Sequence, residues 1–85
     1  MPGEELISVQ VISVDQSINN FKVIAKNKDK FSKLEEIVYD KYPKYKDTDN
    51  FFIVNGNRIN RHRTLEENKI KNNDILTLSV NDLDS

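Results

Sequence analysis

The stretch between residues 51 and 78 constrains the fold of this chain more than any other. It opens with an apolar run at 51–54, followed by Asn55-Gly56, a pair that tolerates the positive φ angles of a tight hairpin turn. Beyond the turn, the residue pattern predicts a short strand at 58–60, a basic loop at 61–63 and one helical turn at 64–67 with Thr64 as its cap. A second turn at Asn73-Asp74 leads into a last apolar strand at 75–78. This half of the chain therefore predicts three strands joined by compact turns.

The beginning of the chain predicts a hairpin. Residues 6–14 are rich in β-branched side chains, and Ile7, Val9 and Val11 share one face at a period of two. A polar turn is expected at 15–17. In the strand that follows, residues 21, 23 and 25 face one side and residues 22, 24 and 26 face the other.

One amphipathic helix separates the two halves. Its apolar stripe has the spacing of three and four that is typical of a helix face and consists of Phe31, Leu34, Val38 and Tyr42. Asp29 is the predicted cap, with Asn27 as an alternative. Pro43 disfavours helical backbone at the residue before it, so the helix should stop there. A polar loop is expected at 44–49.

Composition excludes several classes of function. The chain has 85 residues, which suits one small domain, and 36% of them are hydrophobic, enough for a core. A net charge of −1 creates no general attraction to nucleic acid or to an anionic membrane. With no cysteine and one histidine, we expect no disulfide, no thiol chemistry, no metal site and no cofactor. No apolar run approaches the length of a membrane helix, and the first residues lack the features of a signal peptide, so we expect an intracellular protein, cytoplasmic or nuclear.

The order of elements resembles a ubiquitin-like domain of the ubiquitin/SUMO superfamily. The resemblance covers residues 7–80, and it is carried by Gly56, Thr64-Leu65, Ile70, Asp74 and the strand that contains Leu76 and Leu78. The segment Asp29-Lys30-Phe31-x-x-Leu34 is similar to the start of the ubiquitin helix, and Phe21-Lys22-Val23 resembles the second strand of the SUMO branch. The resemblance implies an α+β, ubiquitin-like β-grasp fold, in which a mixed sheet of four to five strands packs on one helix. We expect a disordered leader at 1–5, the domain at 6–80 and a flexible acidic tail at 81–85.

The resemblance implies two modes of action. Conjugated members end in Gly-Gly, whereas the last residues here are Asp82-Leu83-Asp84-Ser85. The first expectation is therefore a non-covalent protein–protein interaction module within a larger protein. The alternatives are a conjugated modifier whose Gly-Gly is absent from this chain and a self-associating scaffold domain. We expect a protein partner and no binding to nucleic acid or membrane. The expected oligomeric state is a monomer, and the alternative is weak self-association. His62 has no neighbouring serine, and no residue pairs a nucleophile with a base, so we expect no enzyme activity.

The family's usual recognition surface lies on the sheet face turned away from the helix. It combines a leucine of the first hairpin turn, an isoleucine of the third strand and a valine of the last strand. Ile53 matches the isoleucine, the turn at 15–17 is polar, and Ser79 occupies the valine position. Because residues alternate along a strand, Phe51 and Ile53 should point outward when their neighbours point to the core. The predicted partner site is Phe51 and Ile53 flanked by Thr77 and Ser79, although single exposed apolar residues are common.

Two further surfaces are candidates. A basic cluster of Arg58, Arg61, His62 and Arg63 could clamp a phosphate or an acidic peptide, or could be a solvated loop balanced by Glu66 and Glu67. The second is a groove between the second strand and the helix, where SUMO-like proteins add a peptide strand to the sheet edge. Its predicted residues are Lys22, Ile24, Lys26 and Lys33, and the alternative is that lysines protect this edge from aggregation.

Overall fold

The computed structural model describes residues 4–81, in which one mixed sheet of five strands packs on one α-helix. The elements in chain order are β1 (Leu6–Ser13), β2 (Phe21–Lys26), α1 (Phe31–Lys41), β3 (Asn50–Val54), β4 (Asn57–Arg58) and β5 (Ile75–Val80). The strands lie in the order β2-β1-β5-β3-β4, with β1 and β5 parallel and the other neighbours antiparallel. The expected α+β arrangement of a mixed sheet on one helix is confirmed.

The ends of the chain were expected to be loose. Residues 1–3 of the predicted leader and residues 82–85 of the predicted tail lie outside the described range. Within that range, the Glu5 N–H donates to Asn27 Oδ1 at 3.0 Å, and the Glu5 carbonyl accepts from the Asn27 N–H at 2.9 Å. The backbone bond between Glu5 and Asn27 continues the β1–β2 pairing by one residue before Leu6, and the side-chain bond supports it.

The core lies between α1 and one face of the sheet. Alternate residues of β1, β3 and β5 are buried there, as a period of two requires for a sheet with one covered face. Phe31 of α1 meets Phe52 of β3 edge to face, with ring centroids 5.0 Å apart. The largest fully buried side chains are Tyr45, Phe31, Phe52, Ile18, Leu34, Leu65, Leu76 and Leu78.

The helix starts without a side-chain cap. Lys30 is the N-cap residue, so the prediction of Asp29 is wrong: its carboxylate instead accepts a hydrogen bond from the Lys26 N–H at 3.3 Å. The first two helical N–H groups, of Phe31 and Ser32, donate to the carbonyls of Arg63 and Arg61 at 2.9 and 3.1 Å. Backbone carbonyls of a distant loop therefore satisfy donors that a cap would otherwise satisfy. The helix ends at Lys41, before Pro43 as expected.

The segment after the helix is not the polar loop that its composition suggested. It begins with a 3₁₀ turn, Pro43–Tyr45, and the side chain of Tyr45 is buried in the core. The Tyr45 hydroxyl donates to Asp15 Oδ1 at 2.6 Å, which gives its polar end a partner in the first hairpin turn. Ile18, at the end of that same turn, is buried as well.

The predicted turns are present with small differences. Asn55 and Gly56 have φ angles of 51° and 80°, the left-handed region that a two-residue hairpin turn needs. The strand expected at 58–60 is only Asn57–Arg58. Thr64 caps the next segment as predicted, because the Glu67 N–H donates to Thr64 Oγ1 and the Thr64 N–H to Glu67 Oε1. That segment forms hydrogen-bonded turns rather than a helix.

Candidate interaction face of the sheet

The sheet face turned away from α1 carries an apolar surface that spans three strands. Ile12 of β1 lies beside Thr77 of β5, which lies opposite Ile53 of β3, and Ile53 in turn lies opposite Arg58 of β4. In the next row, Ser79 lies opposite Phe51. The apolar residues of this surface and the two hydroxyl side chains between them form the outer patch: Ile12, Val14, Phe51, Ile53, Ile75, Thr77 and Ser79.

The four residues predicted as the central partner site belong to this patch. Phe51 and Ile53 point outward and are half-buried, while Phe52 and Val54 are buried, so the predicted alternation is confirmed. Thr77 and Ser79 lie directly opposite Ile53 and Phe51. A cross-strand pair of this kind brings side chains into contact on one face.

Three apolar members of the patch were missed from the sequence. Ile75 is 52% exposed beside Gln10, and Ile12 is half-buried beside Thr77. Val14 follows the end of β1, is 65% exposed, and donates its N–H to the Leu78 carbonyl at 3.0 Å. The first hairpin therefore does supply an apolar side chain, one residue before the polar turn at 15–17. Only the parallel register of β1 on β5 places it there, and local patterns do not encode that register.

The turn beside Val14 is fixed by Asp15. Its Oδ1 accepts hydrogen bonds from Ser13 Oγ at 2.6 Å, from the Tyr45 hydroxyl at 2.6 Å and from the Ser17 N–H at 3.1 Å. These donors, the Ser13 hydroxyl first, hold the pKa of the Asp15 carboxyl well below its ordinary value. A groove of about 470 Å³ between Val14, Lys44 and the residues 78–81 continues the outer patch past the end of the sheet.

Arg58 forms the rim of the patch. Its guanidinium carbon lies 4.5 Å from the centroid of the Phe51 ring, a cation–π distance. Of the four residues in the predicted basic cluster, it is the one that the structure joins to the outer patch.

Arg61 contacts the helix and β3 within the domain. Its Nη2 lies 3.3 Å from Oε2 of Glu35, a helix residue that is 4% exposed, and donates to the Asn50 carbonyl at 3.0 Å. The Tyr39 hydroxyl lies 2.7 Å from the same Glu35 oxygen. Burial, followed by the hydrogen bond to Glu35, raises the pKa of Tyr39 to about 12. The Arg61 guanidinium is therefore committed to contacts within the molecule.

The remaining basic residues also point to separate neighbours. Arg63 Nη1 lies 3.9 Å from Glu67 Oε2, and His62 is exposed. Hydrogen bonding from the Thr64 backbone N–H is the main reason that the pKa of Glu67 is lowered. The structure thus disperses Arg58, Arg61 and Arg63 over three sets of contacts and does not form a shared anion clamp from them.

The predicted groove residues are divided between two sides of the molecule. Lys22, Ile24 and Lys26 lie on the outer face of β2, where Ile24 is 60% exposed and Lys26 lies 3.5 Å from Glu4. Lys33 lies on the helix, 3.9 Å from Asp29. Between β2 and the helix end, Phe21 packs edge to face on Tyr42. The four residues therefore do not line one groove.

The residues that the structure describes contain neither a cluster of metal ligands nor a membrane-spanning helix. Across 4–81, no three histidine, aspartate or glutamate side chains come together in a way that could hold a metal ion. Over the same residues, no helix has the length and apolar character needed to cross a membrane.

Comparison with known proteins identifies the fold. No protein-family model matches the chain, and no curated protein matches it in sequence. Among solved structures, a designed protein based on ubiquitin superposes with a TM-score of 0.76 at 20% sequence identity, over 100% of this chain and 95% of the design. The identity is low, so this likeness concerns the arrangement of the backbone. Together with the mixed five-stranded sheet on one helix, it shows that this chain has the ubiquitin-like β-grasp fold.

Proposed function

We propose that this ubiquitin-like domain is a non-covalent protein-interaction module and that it binds its partner through the outer patch. The observation that carries the proposal is the apolar surface of Ile12, Val14, Phe51, Ile53 and Ile75, which lies on a sheet face that no other element within residues 4–81 covers. Apolar patches of this kind on a small soluble domain are typical of protein contacts. The role is binding rather than catalysis.

The arrangement of the patch supports this use. Its apolar side chains stand on hydrogen-bonded strands, so little conformational freedom is lost when a partner covers them. Arg58 lies at the rim over Phe51, where a partner carboxylate could reach it while apolar groups cover the centre. The partner expected from this chemistry is a protein segment with an apolar stripe and an acid at one end.

A matched pair of substitutions tests the proposal. Ile53→Glu places a charge in the middle of the outer patch, whereas Ile37→Glu places the same charge on the exposed face of α1, where Ile37 is 40% exposed. Wild-type and variant domains would be immobilised, exposed to cell extract, and the retained proteins quantified by mass spectrometry. Retained proteins would then be purified and titrated against each domain by calorimetry. Amide NMR spectra would first establish that both variants remain folded.

We expect the wild-type domain to bind a retained protein directly and Ile37→Glu to leave the affinity unchanged. Ile53→Glu should weaken the affinity at least tenfold, a loss of about 1.4 kcal/mol or more in binding free energy. Equal loss in both variants, or no loss in either, would contradict binding through this face. Sedimentation equilibrium of the wild type tests a second copy as the partner. Self-association that Ile53→Glu abolishes would identify the sheet face as a dimer surface.

A further inference from the structure

We propose that Asn55 is a site of spontaneous deamidation and backbone isomerisation, and that this modification alters the rim of the outer patch. Asn55 and Gly56 form the exposed two-residue turn between β3 and β4. The reaction takes place within this turn and requires no partner.

The turn has the local freedom that this reaction needs. Within residues 4–81, neither the Asn55 side-chain amide nor the Gly56 N–H has a hydrogen-bond partner, and the Asn55 carbonyl receives only a long contact of 3.4 Å from Asn57 Nδ2. A Cβ placed on Gly56 would meet no atom within 4 Å outside Gly56 and its two chain neighbours, so no other part of the molecule packs against that side of the turn. Glycine also lacks the Cβ that hinders attack by the backbone nitrogen in other asparagine dipeptides.

The reaction is intramolecular and needs only water. The Gly56 nitrogen loses its proton and attacks Asn55 Cγ, a new N–Cγ bond forms, and the Cγ–Nδ2 bond breaks to release ammonia. Water then opens the resulting five-membered imide at either carbonyl. One product is aspartate with the original backbone, and the other is isoaspartate, in which the main chain runs through the side-chain carbon. Each product carries one carboxylate in place of a neutral amide.

The isoaspartate product changes the geometry of the hairpin. It adds one carbon to the backbone of a turn whose two residues are held at φ 51° and 80°. That turn sets the pairing of Val54 with Asn57 and of Ile53 with Arg58. A lengthened turn no longer matches this pairing, so Arg58 should leave the Phe51 ring.

Ageing of the purified protein tests the proposal. The domain would be incubated in mildly alkaline buffer and analysed over time by intact mass, where deamidation adds about one mass unit. Trypsin cleaves after Lys46 and Arg58, so Asn50, Asn55 and Asn57 fall in one peptide, 47–58, and tandem mass spectrometry separates them. Enzymatic methylation of isoaspartate would quantify the rearranged product. Asn57-Arg58 is the internal control, since the attacking backbone nitrogen there belongs to a residue with a side chain, which hinders the attack.

The proposal expects conversion at Asn55 well ahead of Asn57, with isoaspartate present. It also expects the Arg58 side-chain proton shifts, moved upfield by the Phe51 ring in NMR spectra, to return towards random-coil values in the isoaspartate fraction. The variant Asn55→Gly keeps the left-handed turn and removes the amide, so it should age with no change at this peptide. The proposal is overturned if the folded domain keeps its amide at Asn55 while the free 47–58 peptide converts, or if conversion leaves the Arg58 shifts unchanged.

Discussion

At the scale of single residues, Asp15 and Tyr45 join two parts of the chain that are far apart in sequence. Asp15 Oδ1 accepts from the buried Tyr45 hydroxyl, and Lys44 Nζ lies 3.4 Å from Asp15 Oδ2. The contact fixes the first hairpin turn against the 3₁₀ turn that follows the helix. Because Val14 precedes Asp15 directly, the same contact fixes the exposed apolar side chain at the end of the outer patch.

Removing the Tyr45 hydroxyl measures how much its hydrogen bond to Asp15 contributes to stability. In Tyr45→Phe the ring still fills the core, and one hydrogen bond to a carboxylate is lost. We expect the free energy of unfolding to fall by about 1 kcal/mol, which lowers the melting temperature by roughly 4–8 °C. Thermal and urea unfolding would measure the change. Tyr42→Phe is the control, because the Tyr42 hydroxyl has no hydrogen-bond partner in the range 4–81; an equal effect of the two substitutions would contradict the role of the bond.

The charge of Asp15 makes part of the stability dependent on pH. Its pKa is lowered in the folded state, so the folded protein binds this proton less readily than the unfolded chain, whose value is near 3.8. The resulting stabilisation is complete above the unfolded pKa and is lost as the pH falls below it, towards the lower folded pKa. We expect Asp15→Asn to be less stable than the wild type at neutral pH and the difference to shrink at about pH 2. Urea unfolding at both pH values measures the difference in free energy of unfolding between the two proteins. If that difference is the same at both pH values, the carboxylate charge is not its cause.

At the scale of elements, local patterns predicted what each segment forms but not how distant segments meet. The alternation at 51–54 and the Asn55-Gly56 turn correctly predicted which side chains of β3 point outward, because both patterns are local in the sequence. Val14 could not be placed without the parallel pairing of β1 with β5, which joins residues more than sixty positions apart. The Asp29 cap was mispredicted for the same reason, since the Arg61 and Arg63 carbonyls that bond to the helix start are remote in sequence.

Asn68 holds the loop that covers the helix start. Its Oδ1 accepts from the Asn60 N–H at 2.8 Å, and its Nδ2 donates to the carbonyls of Asn60 and Thr64 at 2.9 and 3.0 Å. We expect Asn68→Ala to destabilise the domain by about 1–2 kcal/mol and to speed hydrogen exchange of the Phe31 and Ser32 amides, because the loop carbonyls lose their fixed positions.

Asn57→Ala provides the comparison for this helix start. Among residues 4–81, the Asn57 side chain makes only the 3.4 Å hydrogen bond to the Asn55 carbonyl, so its removal should change neither stability nor exchange at Phe31 and Ser32. Hydrogen exchange followed by NMR reads each amide separately. Unchanged protection of these two amides in folded Asn68→Ala would contradict the proposed support of the helix by the loop.

At the scale of the whole molecule, the two faces of the sheet differ in what they contact. The inner side carries the core and a polar cluster in which Arg61 links Glu35 of the helix to the Asn50 carbonyl of β3. The outer side carries the apolar patch and Arg58. Arg58 and Arg61, three positions apart, therefore contribute to different faces of the sheet. The presence of several basic residues in this segment could not predict that Arg61 stabilises the fold and that Arg58 lies at the exposed rim.

The Glu35–Arg61 pair should matter more to stability than any exposed ion pair of the domain. Removing one member of a buried pair leaves the other charge uncompensated, and here the Glu35 side chain is 5% exposed while that of Arg61 is 45% exposed. Because water reaches the arginine, we expect Arg61→Ala to cost about 2 kcal/mol, below the full penalty for a buried pair. Arg63→Ala, which removes only the exposed 3.9 Å pair with Glu67, should cost less than about 0.5 kcal/mol.

A double-mutant cycle separates lost charge compensation from lost packing. Glu35→Gln removes the buried charge and keeps an oxygen for the Tyr39 hydroxyl, so it should recover much of the loss when added to Arg61→Ala. Urea unfolding of the four proteins gives the coupling free energy. Two results would contradict charge compensation of Glu35 by Arg61: a loss of stability in Arg61→Ala no larger than in Arg63→Ala, or no recovery of stability when Glu35→Gln is added. In either case the Arg61 guanidinium would be available to bind a partner.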